Sequence, residues 1–375
     1  MRNLQTNVIP FFDFESAPKR LKKRWSKAAK LVIDSNHYIL GKCLRNFESE
    51  FAEYLQAKYA VGVGNGFDAI EIALRSLKIG PGSNVAVPQH TFIATWLAVQ
   101  KVGANIVPIE VNAHGLLDIE SLKSSQISVQ AVIPVHMHGN MVEMPKLMKW
   151  ANEKNVKVIE DCAQAHGASI DGRKAGTWGD VGCYSFYPTK NLGALGDAGA
   201  IVSNSIEITE FARSYRSYGS NPLNKYQHER MGVNSRLDEI QASILSVNLE
   251  YLDKWNNHRR LIANNYINAF GGKLDFNSGQ ENSVYHHFII FVKNRTAARE
   301  YLESKGILTE IHYPNTPMTL FKEINYGVQS ESGYVKKFSE TGLSIPLNQW
   351  LSKKKSDHII DVLTSEFFIK NFSTL

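Results

Sequence analysis

From about residue 60 to residue 205 the chain alternates short apolar, β-rich runs with amphipathic stretches. Tyr59-Ala60-Val61-Gly62-Val63 predicts a strand, and Asp68 to Lys78 a helix with Ile70, Ala73, Leu74 and Leu77 at helical spacing. Pro81-Gly82 is a turn, Val85–Val87 a strand, Ile93–Val102 a helix and Ile106–Ile109 extended. Ala131–Val135 predicts a strand running into His136, Met144–Asn155 a helix, and Val156–Ile159 a strand running into Glu160-Asp161. Strands apolar on both faces belong to a parallel sheet covered by helices. In such α/β sheets ligands bind beyond the carboxyl ends of the strands, so functional groups are sought there.

A long helical stretch follows from Ser235 to Phe270, with a break near Trp255. Beyond it Val284–Val292 alternates, Ala297–Lys305 reads as helix, Leu308–Tyr313 as extended, and Tyr334–Glu340 and Lys354–Leu363 as helices. This pattern suits a smaller α+β unit, giving a large domain over 1–254, with an N-terminal arm, and a small domain over 255–375. Of the 375 residues 43% are hydrophobic and 21% charged, so the chain can bury a core and is not disordered. No apolar run approaches the roughly 20 residues of a membrane span. Met1–Pro10 lacks the apolar centre of a secretory signal, and Cys43, Cys162 and Cys183 are too few for a disulfide framework or a zinc site. These features predict a cytoplasmic protein. The net charge of +6 concentrates in Lys19–Trp25 and Lys353–Lys355. Without a nucleic-acid signature these read as solvated helix faces, and the surplus charge favours an anionic small substrate.

Three segments carry chemistry. In DVGCYSFYPTKNLGALGDAGA a strand ends at Ser185-Phe186-Tyr187, and Lys190 follows in a loop flanked by Gly182, Gly193, Gly196 and Gly199. A lysine desolvated there is a nucleophile; read alone, it is more simply an exposed loop residue. In VKVIEDCAQAHGA, Asp161 stands at a strand end, where a carboxylate pairs with a cationic ring nitrogen or merely makes a turn. In VGVGNGFDAIEI a glycine turn opens a helix, and helix N-termini bind phosphate. The dinucleotide fingerprint fails because Phe67 stands at its third glycine, and no Gly-Lys-Ser/Thr completes a P-loop. Asp68 sits awkwardly beside a phosphate unless it points away. A phosphate cradle, an acid for a ring nitrogen and an amine together match what a protein supplies to pyridoxal 5′-phosphate.

Nearly end to end, the chain resembles the DegT/DnrJ/EryC1/StrS family of sugar aminotransferases. The matching words are GNGFDAIEIAL, GPGSNVAVPQHTFIATWLAV, VIEDCAQAHGA, SFYPTKNLGALGDAGA and NSRLDEIQA. The resemblance implies the fold-type-I aminotransferase architecture: a large α/β domain with a mostly parallel, seven-stranded-type sheet and a small C-terminal α+β domain. It implies Lys190 as the Schiff-base lysine, Asp161 at the pyridinium nitrogen, Gln164 at the ring 3-oxygen and Phe92 on the ring face. Gly66, Phe67 and Ser185 would bind the phosphate, joined by Asn234 from the neighbouring subunit of a homodimer with shared sites. A dehydrase subgroup carries histidine where Lys190 stands, so transamination is expected, with L-glutamate as donor. GNGFDA, His90, Asn224-Lys225-Tyr226 and Ile311-His312-Tyr313-Pro314 look most like enzymes that aminate C3 of a dTDP-linked 3-keto-6-deoxyhexose. Lys225, His312 and Tyr313 would then meet sugar or pyrophosphate. Amination at C4 of a 4-keto sugar is the alternative. The family more often has Tyr at the position of His138. No metal is expected, because neither His136/His138 nor His286/His287 has a carboxylate or cysteine at ligand spacing.

Overall fold

The computed structural model describes residues 8–221, 224–321 and 333–375, and of Lys225 the backbone alone. Helix α1 (Lys19–Ser35) buries Leu21, Trp25, Ala28 and Val32, one face at helical spacing, and turns Lys19, Arg20, Lys23 and Lys27 outward. Next come α2 (Lys42–Leu55), β1 (Tyr59–Val63), α3 (Gly66–Ser76), β2 (Asn84–Pro88), α4 (Ile93–Lys101), β3 (Asn105–Ile109), α5 (Ile119–Ser124), β4 (Ala131–Val132), α6 (Met144–Lys154) and β5 (Lys157–Asp161). A small hairpin, β6 (Ser169–Ile170) and β7 (Arg173–Lys174), leads to β8 (Val181–Ser185), β9 (Gly199–Ser203) and α7 (Ile206–Tyr215). After a hairpin of β10 (Ser220–Asn221) and β11 (Asn224–His228) stand α8 (Glu239–Leu249) and α9 (Leu252–Phe270). The remainder is β12 (Asp275–Phe276), β13 (Phe288–Phe291), α10 (Arg295–Ser304), α11 (Pro317–Leu320), α12 (Gly333–Lys336), a π-turn over Lys337–Thr341, β14 (Gly342–Ile345), α13 (Lys353–Leu363) and α14 (Glu366–Phe372).

Seven strands form the main sheet in the order β1-β9-β8-β5-β4-β2-β3. The pairs from β8 to β3 are parallel, and β9 runs against both its neighbours. The sheet is thus mostly parallel, as its doubly apolar strands require. One strand is shorter than the sequence implies. β4 pairs regularly only at Ala131 and Val132, because Pro134 has no N–H for the ladder. The chain regains β5 beyond it: the Asp161 N–H donates to the Pro134 carbonyl at 2.9 Å, and the His136 N–H to the Asp161 carbonyl at 3.0 Å. Asp161 is therefore the last strand residue of β5, clamped from both sides of that bridge.

Other expectations shift as well. The long helical stretch breaks at Glu250-Tyr251, ahead of Trp255, whose indole packs into a cluster with Trp25, Leu21 and Ile244. Val284–Val292 does not alternate: only Phe288–Phe291 is strand, and all four side chains are buried between α9 and the π-turn. Leu308–Tyr313 is no strand, and touches β14 through the single bridge Glu310–Ser344. The helix expected over Tyr334–Glu340 is one α turn followed by the π-turn. Two large cores result, one around the main sheet and one formed by α9, β13, β14, α10, α13 and α14; Leu252 enters the first and Ile262 the second. Ile9 also joins the second, bridged to Ile307. Among the described residues no helix is long and apolar enough to cross a membrane.

A buried ion pair ties α2 to β1. Glu48 accepts from Arg216 Nη1 at 2.6 Å and from the Gly62 N–H at 2.8 Å, while Arg216 donates also to the Gly62 carbonyl. Both side chains are under a tenth exposed. Glu48→Gln leaves the guanidinium without its charge partner, and the expected loss is roughly 3–5 kcal/mol, read from urea denaturation.

Candidate functional site

The carboxyl ends of the parallel strands and the start of α3 enclose a cavity of about 420 Å³. Nine residues singled out from the sequence line it: Gly66, Phe67, Phe92, Asp161, Gln164, Ser185, Lys190, His312 and Tyr313. They come from both cores, so one site gathers residues more than 240 positions apart. Asn234 is not among the lining residues; it is exposed and bridged to Ser217. The Lys225 side chain lies outside the described residues.

Lys190 is carried by a tight loop. Its N–H donates to the Tyr187 carbonyl at 2.8 Å, and a side chain at Gly193 would lie 2.3 Å from the Pro188 carbonyl. The next residue, Asn191, fastens the loop from behind by donating to Asn256 Oδ1 and the Val284 carbonyl, both at 2.9 Å. The amine so held is desolvated, which pulls it down to about 8 against the opposing charge of Asp161. Asp161 is 6% exposed, and burial pushes its carboxyl up. Two donors oppose that push: the Ala163 N–H at 3.1 Å on one oxygen and Thr95 Oγ1 at 2.9 Å on the other. Thr95 itself meets Thr91 Oγ1 at 2.9 Å. Sequence reasoning passed over Thr95, although its spacing of four from Thr91 on a helix start places the two hydroxyls together.

The start of α3 meets the phosphate requirement. The Asn65 side chain accepts from the Asp68 N–H and the Asn65 carbonyl from the Ala69 N–H, so the N–H groups of Gly66 and Phe67 have no helical partner. A Cβ on Gly66 would stand 2.6 Å from Ser185 Cβ, so only glycine lets the helix start approach β8 this closely. Asp68 faces away from the cavity. Its carboxylate accepts from Ser235 Oγ at 2.7 Å and Asn65 Nδ2 at 3.0 Å and lies 3.8 Å from Lys101, which removes the conflict with an anion.

The histidines are brought together in ways the sequence did not disclose. His286 and His287 line the cavity, and His312 stacks on His287 with ring centroids 3.7 Å apart. His136 does gain a carboxylate and a thiol, with Glu160 and Cys162 inside 4.8 Å, contrary to the expectation from spacing. Their lone pairs are spent on protein donors: Glu160 accepts from His136 Nε2 and from the N–H groups of Gly176, Trp178 and Gly179, and His136 Nδ1 accepts from the Val142 N–H. Glu160 and His136 thus brace the segment after β7, while the Cys162 thiol turns to the Glu160 carbonyl at 3.7 Å.

The cavity residues fit pyridoxal 5′-phosphate: a desolvated amine, a buried carboxylate with oxygens still able to accept, and helix-start N–H groups beside a serine. With an amine near 8, the rate at which apoprotein takes up pyridoxal 5′-phosphate should rise about tenfold per pH unit below 8 and level off above it. Stopped-flow absorbance between pH 6 and 10 measures this. Borohydride reduction should then leave a pyridoxyl group on Lys190, and peptide mapping to another lysine would remove it from this role.

Comparison with known proteins gives the same picture. The model of the DegT/DnrJ/EryC1/StrS aminotransferase family matches residues 19–364. The chain is 38% identical over 367 residues to dTDP-3-amino-3,4,6-trideoxy-alpha-D-glucose transaminase of Streptomyces venezuelae, covering 96% of each chain. It is 38% identical to dTDP-3-amino-3,6-dideoxy-alpha-D-galactopyranose transaminase of Aneurinibacillus thermoaerophilus, with 95% and 99% of the two chains covered. Among solved structures, that of S. venezuelae DesV with a ketimine intermediate superposes with a TM-score of 0.90 at 38% identity, over 96% of this chain and 98% of the other.

Proposed function

Because this chain belongs to the DegT/DnrJ/EryC1/StrS aminotransferase family, we propose that it moves an amino group from L-glutamate to C3 of a dTDP-linked 3-keto-6-deoxyhexose. Two relatives at 38% identity, each named for a dTDP-3-amino sugar, support the choice of carbon and nucleotide. The half-buried Lys190, its amine desolvated, beside the buried Asp161 in one cavity is the observation that carries the chemistry.

Bound pyridoxal 5′-phosphate supplies an electron-withdrawing ring through which an amino group is taken from one substrate and given to another. Asp161, oriented by Thr95 and Ala163, would receive the ring nitrogen, and a cationic partner there offsets the cost of burying the carboxylate. Gln164 is pre-set for the ring oxygen: its Oε1 accepts from the His138 N–H at 2.8 Å, which turns its Nε2 towards the Tyr313 hydroxyl and the cavity. Phe92, 53% exposed and 5.4 Å from the Tyr313 ring, would cover the ring face. Gly66, Phe67 and Ser185 would hold the phosphate. Lys190, neutral above about pH 8, takes a proton from the α-carbon of the donor and returns one to the acceptor carbon. His312, Tyr313 and Lys225 would anchor the sugar and its pyrophosphate.

The working unit in this reading is a cytoplasmic homodimer with shared sites. Exposure of Asn234 away from its own cavity supports its service to the partner's phosphate, and three free thiols suit a reducing compartment. Mixing inactive Lys190→Ala chains with chains disabled at Asn234 should restore activity, since each hybrid keeps one intact site. Recovery absent after proven subunit exchange would return Asn234 to its own chain's site.

Shifting the target from C3 to C4 displaces it by about one bond, and an error of about 1 Å costs ~10²-fold in rate. A dTDP-linked 3-keto-6-deoxyhexose should therefore be aminated at least ~10-fold faster, in kcat/KM, than its 4-keto isomer. NMR placement of the new amine at C4 would overturn the regiochemistry.

A further inference from the structure

Three imidazoles form one hydrogen-bonded chain behind the cavity wall. His90 Nε2 lies 3.2 Å from His138 Nε2, and His138 Nδ1 lies 3.3 Å from His287 Nδ1. His90 and His138 are 2% exposed and sandwiched against Phe338. His287 is the member that reaches ligand space. It lines the cavity of Lys190 and also an adjoining chamber of about 430 Å³ bounded by Phe11, Thr189, Arg259 and His312. The stacked His312 ring, tilted only 18° from it and tied to Ser344 Oγ at 2.8 Å, holds its plane.

Burial keeps the chain neutral: it lowers His90 to about 4 and takes His138 and His287 well below the usual imidazole range, with neighbouring positive groups adding to the effect on the last two. A neutral imidazole has one N–H and one lone pair, and each contact needs one of each. The rings therefore set one another's tautomers, and the whole chain has two settings. In one, His90 Nε2–H donates to His138 and His138 Nδ1–H donates to His287, which puts the His287 proton on Nε2. In the other, every proton shifts and His287 Nε2 carries a lone pair. His90 Nδ1 has no hydrogen-bond partner among the described residues. The first setting leaves a lone pair there and the second an N–H for which no described residue offers an acceptor, so the contacts favour the first setting.

We propose that the His90–His138–His287 chain presents His287 Nε2–H to the cavity as a fixed hydrogen-bond donor for an oxygen of the nucleotide-sugar substrate, with His138 as the positioning residue. The identity of that ligand rests on the function proposed above. His286 is an internal contrast. The Asn191 amide donates twice to other groups, so its oxygen accepts from His286 Nδ1 at 3.0 Å and leaves His286 Nε2 a lone pair. Two adjacent histidines thus offer opposite hydrogen-bonding character to one wall, an arrangement suited to a hexose that carries both hydroxyls and a keto oxygen.

Nitrogen-15 NMR of histidine-labelled, cofactor-loaded protein reads the tautomers directly. The expected spectrum has the His287 proton on Nε2 and the His286 proton on Nδ1. A His287 proton on Nδ1 in the wild-type protein overturns the proposal whatever the substrate is. In His138→Phe the His287 preference should vanish while His286 stays unchanged, and KM for the keto sugar should rise about tenfold more than KM for the amino donor, as loss of one hydrogen bond predicts. Asparagine tolerates the left-handed backbone of residue 138 (φ 60°) and puts an amide N–H where Nδ1 stood, so His138→Asn should recover most of both effects. Equal KM changes for the two substrates in folded variants would reduce His138 to packing. If the wild-type protein aminates no nucleotide sugar, the functional reading fails while the NMR result still decides the chain.

Discussion

Holding a desolvated amine and a buried carboxylate beside one cavity is the constraint on which the rest of the molecule depends. Neither Lys190 nor Asp161 is at ease there: desolvation favours the neutral form of each, and each charge only partly relieves the other. The fold supplies what resists their escape. Asp161 is built into the end of β5 and bonded by Thr95 and the Ala163 N–H, and Lys190 rides a loop locked by Asn191 and by the crowding at Gly193. The unease is chemically useful, because a neutral amine is a nucleophile and an under-stabilised carboxylate seeks a cation.

The same economy governs the surrounding shell. Gln164 is turned by a backbone N–H of His138, whose ring in turn meets His90 and His287. One residue with left-handed backbone therefore links the proposed cofactor side of the cavity to the proposed substrate side. His287 and His312 adjoin Phe288 and Ile311 of the second core, whereas Asp161 ends β5 and Lys190 follows β8 of the first, so the packing of the two cores on each other sets the width of the cavity.

Much of this was legible in the chain. Doubly apolar strand runs announced a parallel sheet, and the groups at strand ends and in glycine-rich turns, Asp161, Lys190, Gly66 and Ser185, proved to share one cavity. What misled was local reading of pairing. Pro134 sits inside an apolar run that looks like uninterrupted strand, yet its missing N–H shortens β4, and pairing with β5 resumes only at the isolated Val135–Asp161 bridge. Phe288–Phe291 lost its apparent alternation because both its faces are covered.

The order of residues by itself determined the architecture and the chemical cast. Periodicity of side chains along the backbone is a local property, and the amine, the acid and the phosphate-binding turn each occupy a contiguous segment. Tertiary structure alone decided how that cast is deployed: that Asp68 turns away to Ser235, that Glu160 and Cys162 close around His136, and that His90, His138 and His287 meet although as many as 197 positions separate them. Hydrogen-bond partners, desolvation and tautomer choice depend on distances of about 3 Å between segments remote in sequence. Only the folded packing of the two cores sets such distances.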